Sequence, residues 1–288
     1  MLLAALGFSV MGGAAKSLKG AFNAGQLVFW RNTIGLLVLV PGLILKPPVQ
    51  TGGKLPRLVF RGLMGTVALY TLLYCILHIP LGTAMSYNLT SVLFIAIFSF
   101  FLFGEYHGKK VLLAVLLGFA GMLLIYKPIM HFPWYYHLAG LISGIVSAIA
   151  YLTLGRLAGY YDPRVIVLSF LLSGFLIPLL SMIIRYMTGI PADGLFLIDW
   201  RWPAGKEWVS VSLLGIAALF GQYFVTKAYG SDKAGIVSVF GYANIVFSVF
   251  IGMTLGDAFP DTMSLTGILC IILSGVLISV VKRKSQVS

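Results

Sequence analysis

Residues 82–105, GTAMSYNLTSVLFIAIFSFFLFGE, superimpose without a gap on residues 234–257, AGIVSVFGYANIVFSVFIGMTLGD. The shared offset of 152 sets Ser86 on Ser238, Phe98 on Phe250, and Gly104-Glu105 on Gly256-Asp257. Upstream, GQLVFWRNTIGLLVLVP lies over the region of IVLSFLLSGFLIPLL, with Gly35 on Gly174 at an offset of 139. One longer polar connection in the second copy, Thr188 to Glu207, absorbs the difference. Each copy reads as five apolar spans. An odd number turns the second copy upside down in a membrane relative to the first. Inverted repeats of this kind serve secondary transporters, with the solute near midplane between the halves.

Apolar runs of about twenty residues, separated by short polar links, are the pattern of membrane helices. Of the 288 residues 59% are hydrophobic and only 10% charged, against about 25% charged in soluble domains; mean hydropathy is +0.99. The runs fall at 2–18, 25–45, 57–79, 82–103, 110–126, 135–155, 164–187, 208–229, 233–255 and 262–281. They predict an all-α membrane protein of ten transmembrane helices. Two inverted five-helix repeats, 1–128 and 129–288, would together form one integral membrane domain. The first run lacks the basic start and small-residue cleavage pattern of a signal peptide, and the repeat needs it as a span.

A net charge of +12 would suggest nucleic acid in a soluble chain, but its distribution has a simpler cause. With the N-terminus inside, the inner loops and tail hold Lys46, Lys54, Arg57, Arg61, Lys109, Lys110, Arg156, Arg164, Lys227, Lys233, Lys282, Arg283 and Lys284, 13 of the 20 basic residues. Trp134, Tyr135, Tyr136, Trp200, Trp202 and Trp208 gather on the opposite side, as an interfacial belt does. Positive loops stay inside, which predicts a bacterial inner (plasma) membrane protein with both termini cytoplasmic and no nucleic-acid partner. Cys75 and Cys270 fall within spans, so no disulfide framework or metal-ligand spacing is present. There is no phosphate loop and no helical HExxH, hence no sign of ATP-driven transport or intramembrane proteolysis. No cofactor, metal or catalytic residue is expected.

All eight acidic residues, Glu105, Asp162, Asp193, Asp199, Glu207, Asp232, Asp257 and Asp261, fall in loops or at helix ends. A midplane carboxylate, the usual proton carrier of antiporters, is missing, which argues against carboxylate-based proton exchange. Neutral polar and aromatic residues concentrate instead in particular spans. The third carries Tyr70, Thr71, Tyr74 and His78, with Tyr70, Tyr74 and His78 on one stripe. The fourth carries Asn88 and Ser91, the sixth Ser143, Ser147 and Tyr151, the eighth Gln222 and Thr226, and the ninth Tyr242, Asn244 and Ser248. The candidate substrate-binding set is Tyr70, Thr71, Tyr74, Asn88, Ser91, Tyr151, Gln222, Thr226, Tyr242 and Asn244. For the hydroxyls of Thr71 and Ser91, bonding to a carbonyl or a neighbouring helix is the plainer reading. Amides are harder to dismiss, because lipid satisfies neither their donors nor their acceptor. The tyrosines suit a pocket for a flat or apolar solute, and they also pack well. Lys16, Arg31 and His78 are candidate anionic-group or outer-gate contacts; snorkelling toward the outer headgroups is the plainer reading of the two cations and needs no solute.

These residues resemble the drug/metabolite transporter superfamily in its EamA-type branch. Lys16 near the end of the first span, Phe29-Trp30-Arg31 opening the second, and Arg61-Gly62 opening the third carry the likeness. Gly104-Glu105, Gly256-Asp257 and Gly121 with the run to Lys127-Pro128 continue it. The resemblance implies a cavity lined by spans one, three, four, six, eight and nine, with five and ten peripheral. It implies transport of amino-acid-like, nucleotide-derived or drug-like metabolites.

The resulting expectation is a secondary transporter moving a small organic metabolite by alternating access, as a monomer or weak homodimer. A cavity rich in aromatics and amides, without a midplane carboxylate, suits a neutral, zwitterionic or aromatic solute. The alternative is a membrane enzyme or flippase acting on a lipid-linked substrate. It needs a clustered His, Asp or Glu set, which His78, His107, His131 and His137 do not supply.

Overall fold

Apolar runs this long, with polar residues at their ends, satisfy their backbone groups most simply as helices, and the structure is helical throughout. It is a computed structural model describing residues 1–49, 51–79, 81–103, 108–126, 133–191, 197–232, 234–254 and 261–285. The positions of Pro80, Gly104-Glu105, His107, Lys127-Pro128, His131, Asp193, Lys233 and Gly256-Asp257 lie outside the described residues, as do the side chains of Ser86 and residues 282–284.

Twelve α-helices are present among the described residues: α1 (Leu2–Ser17), α2 (Ala24–Leu45), α3 (Leu55–His78), α4 (Leu81–Leu89), α5 (Ser91–Phe103), α6 (Gly108–Tyr126), α7 (Trp134–Leu157), α8 (Pro163–Thr188), α9 (Glu207–Ser231), α10 (Ala234–Val239), α11 (Ala243–Thr254) and α12 (Thr262–Ser285). Among the described residues, six segments are long and apolar enough to cross a membrane: α2, α3, α7, α8, α9 and the stretch Ile236–Thr254; four shorter apolar helices accompany them. Leu37, Ile44, Leu180, Ile183 and Leu269 are exposed on the outside of the bundle, an apolar belt suited to lipid rather than water.

Two expected spans are not single helices. The span expected at 82–103 is interrupted at Thr90, between α4 and α5. The one expected at 233–255 consists of α10, a 3₁₀ turn over Phe240–Tyr242, and α11. Local bonds account for the first break: the Thr90 hydroxyl donates to the Tyr87 carbonyl at 2.6 Å, and the Thr90 amide bonds the same carbonyl. At an offset of 152, Thr90 corresponds to Tyr242, so both copies break at the same place.

Caps fix the ends. Asn23 and Gln26 form a reciprocal capping box at the start of α2. Pro163 opens α8 after Asp162, and Gly189, at φ 67°, closes it in the left-handed conformation. The helices have two common ends. At one, α2, α7 and α9 begin and α1, α3 and α8 finish amid tryptophans and tyrosines, the aromatic end. At the other lie Met1, Lys46, Lys54, Arg156, Arg164 and Lys227, the basic end.

The packing follows a paired pattern. Helix α1 lies against α9 and α11, while α7 lies against α3 and α5; α2 contacts α8 and α9, α8 also contacts α3, and α6 pairs with α12. Close approach needs glycine where α1 crosses α9. A Cβ on Gly7 would stand 2.8 Å from the Gly221 backbone nitrogen and 2.9 Å from the Ala217 oxygen.

Candidate functional site

Where the two interrupted helices meet α1, α3, α7 and α9, the bundle encloses a cavity. Its volume is about 90 Å³. One water needs about 10–15 Å³, so several fit. The wall is mostly apolar, with Arg31, Arg61, Asn88, Ser91, Ser147, Tyr151, Gln222, Ser238 and Asn244 as its polar groups and Tyr229 beside them. Met1 borders this cavity and two depressions at the basic end, one around Lys227 and one around Asp232. The six spans named by the resemblance all contribute. Arg31 of α2 and Phe170 of α8 join them, whereas among the described residues α6 and α12 supply none of the lining.

Arg61 is the main departure from the sequence reading. Counted there among inner-loop cations, it is 1% exposed and points into the cavity from the second turn of α3. Helix α3 starts at Leu55 and packs its small residues on α8, with Gly62 against Ser169 and Gly65 against Phe170. That close packing draws the first turns of α3 into the interior. The signal was in the spacing: Arg61, Gly65, Ala68 and Leu72 share one face. Nine residues at about 100° each put Tyr70 half a turn away on the opposite face.

Arg31 and Arg61 share one phenyl ring. Their guanidinium carbons lie 5.0 and 5.2 Å from the Phe170 centroid, so the two cations are at most about 10 Å apart. Like charges at that separation repel by roughly 1–2 kcal/mol at an effective dielectric of about 20. Arg31 donates Nη1–H to Asn32 Oδ1 at 3.0 Å and Nε–H to Met11 Sδ at 3.4 Å. Arg61 Nε and Nη1 have no hydrogen-bond partner, and neither does Nε2 of Gln222, which is 4% exposed. Tyr151 lies within electrostatic reach of both arginines and stacks on Tyr229, with centroids 5.1 Å apart at 12°.

The remaining candidates separate into groups. Asn88 Nδ2 donates to Ser143 and Ser147 at 3.0 and 3.1 Å, tying α4 to α7 at the cavity edge. Asn244 Nδ2 donates to Ala5 O at 3.0 Å, and the Asn244 carbonyl accepts from Ser9, tying α11 to α1. Ser91 also borders the cavity. Thr71 and Thr226 bond carbonyls of their own helices. Tyr242, fully buried, donates to Val115 O at 3.2 Å and packs on Gly118, away from the cavity and against α6.

Tyr70 lies beside Gly25 and Ile198, and Tyr74 lies with His78 and Tyr136, both at the aromatic end. His78 is exposed and stacks on Tyr136, with its Nδ1 2.8 Å from the Tyr74 carbonyl oxygen. Lys16 is half-buried near the end of α1. The segment leading into α9 closes over this end. Ile198 is fully buried, Gln26 donates to Asp199 O at 2.8 Å, and the Trp30 indole, among Trp200, Trp202 and Trp208, donates to Arg201 O at 3.0 Å.

The profile of the EamA-like transporter family matches residues 1–127. An uncharacterized transporter of Helicobacter pylori is 31% identical over 97% of this chain and 93% of its own. The chain belongs to the EamA-like transporter family. The pseudopaline exporter CntI of Pseudomonas aeruginosa is 29% identical over 98% of this chain and 95% of its own. The S-adenosylmethionine uptake transporter of Rickettsia prowazekii is 22% identical over 95% and 89%. A solved crystal structure superposes with a TM-score of 0.73, covering 96% of both chains at 21% identity, a likeness of fold. This EamA-type chain is an integral membrane protein of a family of small-molecule transporters.

Proposed function

We propose that the protein is a secondary carrier for a small organic metabolite, working by alternating access between two inverted five-helix repeats, 1–128 and 129–288. The observation that carries this reading is the cavity at the breaks of two helices related by the 152-residue offset. Interrupted helices flanking a midplane site are a recurring feature of such carriers. The packing supports the repeat, since exchanging α1 with α7, α2 with α8, α3 with α9, α5 with α11 and α6 with α12 leaves the main contacts unchanged. The four shorter apolar helices, added to the six long segments among the described residues, are consistent with the expected ten crossings and so support this count. The family match ending at residue 127 supports the repeat boundary. Relatives named for exporting pseudopaline and taking up S-adenosylmethionine support a small organic solute. The basic-residue bias supports cytoplasmic termini in an inner membrane, and the cavity then faces the cytoplasm through Met1.

Two measurements test this. Metabolites that raise the melting temperature of the purified protein are offered to protein-containing and empty liposomes. At least one should cross only where the protein is present, and binders that never cross would sink the carrier reading. In intact cells, a cysteine at Lys206 should react with an impermeant thiol reagent while one at Lys54 should not. The reverse pattern would overturn the orientation.

A further inference from the structure

Two guanidinium groups converge on one buried ring in this cavity, and no carboxylate among the described residues pairs with either. Arg31 is 2% exposed and Arg61 is 1% exposed. The described ion pairs all lie near the helix ends: Asp162 with Arg164, Asp199 with Arg185, and Glu207 with Arg201. Three buried donor atoms in the cavity wall have no partner: Arg61 Nε, Arg61 Nη1 and Gln222 Nε2. A packing role would leave these donors bonded to neighbouring carbonyls, as Asn244 is to Ala5. Ion-bearing residues inside a membrane bundle mark solute pathways far more often than they serve packing.

We propose that Arg31, Arg61 and Gln222 form an anion subsite, and that the carried solute presents a carboxylate or phosphate group to it. The inference rests on the carrier reading above. A guanidinium offers its N–H groups in a planar fork that matches two oxygens of a carboxylate or phosphate. Arg61 keeps two of those donors free, and the Gln222 amide adds another. An anion in the cavity would relieve the repulsion between the arginines and bring acceptor oxygens to a wall that holds these unpartnered donors. The stacked Tyr151 and Tyr229 rings border the same space and suit the flat or apolar remainder of the solute. This revises the charge of the solute: the neutral option suggested by aromatic and amide residues gives way to an organic anion, or a zwitterion held by its acidic group.

Full-length protein in detergent is titrated with succinate and with inorganic phosphate, and with succinamide and glycerol as uncharged counterparts, while melting is followed. Succinate or phosphate should raise the melting temperature, and the uncharged compounds should not. Arg31→Gln and Arg61→Gln should each raise the anion concentration for the half-maximal shift about tenfold or more. Arg61→Lys, which keeps the charge without the fork, should fall between, and Arg164→Gln at the basic end should match the wild type. Should Arg61→Gln fail to accumulate, wild-type protein supplies the second readout: phenylglyoxal modification at Arg61, followed by mass spectrometry, should be slowed by the anions alone.

Equal shifts from the uncharged compounds, or an anion shift that survives both glutamine variants, would overturn the subsite and leave the carrier reading in place. A shift given by short-chain phosphatidylglycerol and by neither soluble anion would also overturn it, in favour of a lipid headgroup. The carrier reading has its own readout, a single cysteine at Ala150 in the cavity wall with Cys75 and Cys270 replaced. No labelling of it from either side of the membrane would sink that reading, whatever the anions do.

Discussion

Gln222 and Asn244 carry the same functional group and occupy comparable burial, yet they are in opposite chemical situations. Nε2 of Gln222 is buried without a partner and faces the cavity. The Asn244 amide donates to Ala5 O, and Ser248 lies 3.4 Å from its Oδ1. Removing the first relieves the empty protein of an orphaned donor. Removing the second breaks a bond that ties α11 to α1, although the Ala5 carbonyl keeps the Ser9 hydroxyl as a donor. Gln222→Leu should therefore keep or slightly raise the melting temperature while weakening solute binding by roughly 1–3 kcal/mol, about five- to over a hundredfold. Asn244→Leu should lower the melting temperature by breaking bonds worth on average about 0.6 kcal/mol each in membranes. Paired melting and binding titrations separate the two, and a stability loss in Gln222→Leu matching that in Asn244→Leu would show that both amides are joints. Sequence made both residues visible as costly amides in apolar helices. It could not tell cavity from joint, because that depends on which neighbour stands opposite, as Ala5 does for Asn244. Tyr242 illustrates the same limit: its hydroxyl has a full partner at Val115, 127 residues away.

The extent of the elements was legible because hydropathy and helix breakers dictate it. The expected runs 25–45, 135–155 and 164–187 become Ala24–Leu45, Trp134–Leu157 and Pro163–Thr188. Breaks inside runs were not legible. Thr90 and Gly241 interrupt stretches that averaged hydropathy reads as single spans, and hydropathy does not register a bond such as Thr90 to Tyr87. Helix crossings were legible only in part, since a glycine in a membrane helix signals close approach without naming a partner. Gly7 and Gly42 provide a matched test. At Gly7 an added Cβ meets the backbone of α9 at 2.8 Å, whereas at Gly42 nothing lies within 4 Å. Gly7→Ala should cost about 1–3 kcal/mol by forcing α1 from α9. Gly42→Ala should be neutral or stabilise by up to about 1 kcal/mol, through the helix propensity gained. Thermal melting of the two purified variants checks this, and equal stability would mean that α1 can shift freely on α9.

Over the whole molecule, the two ends of the bundle are built differently, and this difference sets which motion a transport cycle requires. The aromatic end is closed by the segment leading into α9, with Ile198 inserted beside Gly25 and Tyr70. Two side-chain bonds tie that segment to α2, from Gln26 to Asp199 and from Trp30 to Arg201. The basic end is held more openly. Arg164 bridges Asp162 and the Lys46 carbonyl at its edge, and that guanidinium keeps the Asp162 carboxyl below the usual carboxylate range. The cavity reaches Met1 on this side, and no residue of the tryptophan cluster is in its lining. In the alternating-access cycle proposed above, release at the aromatic end requires the Gln26 and Trp30 bonds to break, with α2 parting from the segment before α9. In a background lacking Cys75 and Cys270, cysteines replacing Gln26 and Asp199 and joined by a short bifunctional thiol reagent should hold the aromatic end shut. Transport should then fall to the level of empty liposomes, while binding, with the cavity still open at the basic end, should stay within about twofold of the uncrosslinked protein. Loss of both would mean that the cross-link distorts the cavity. Unimpaired transport by fully cross-linked protein would show that solute leaves by a route that does not pass between α2 and this segment.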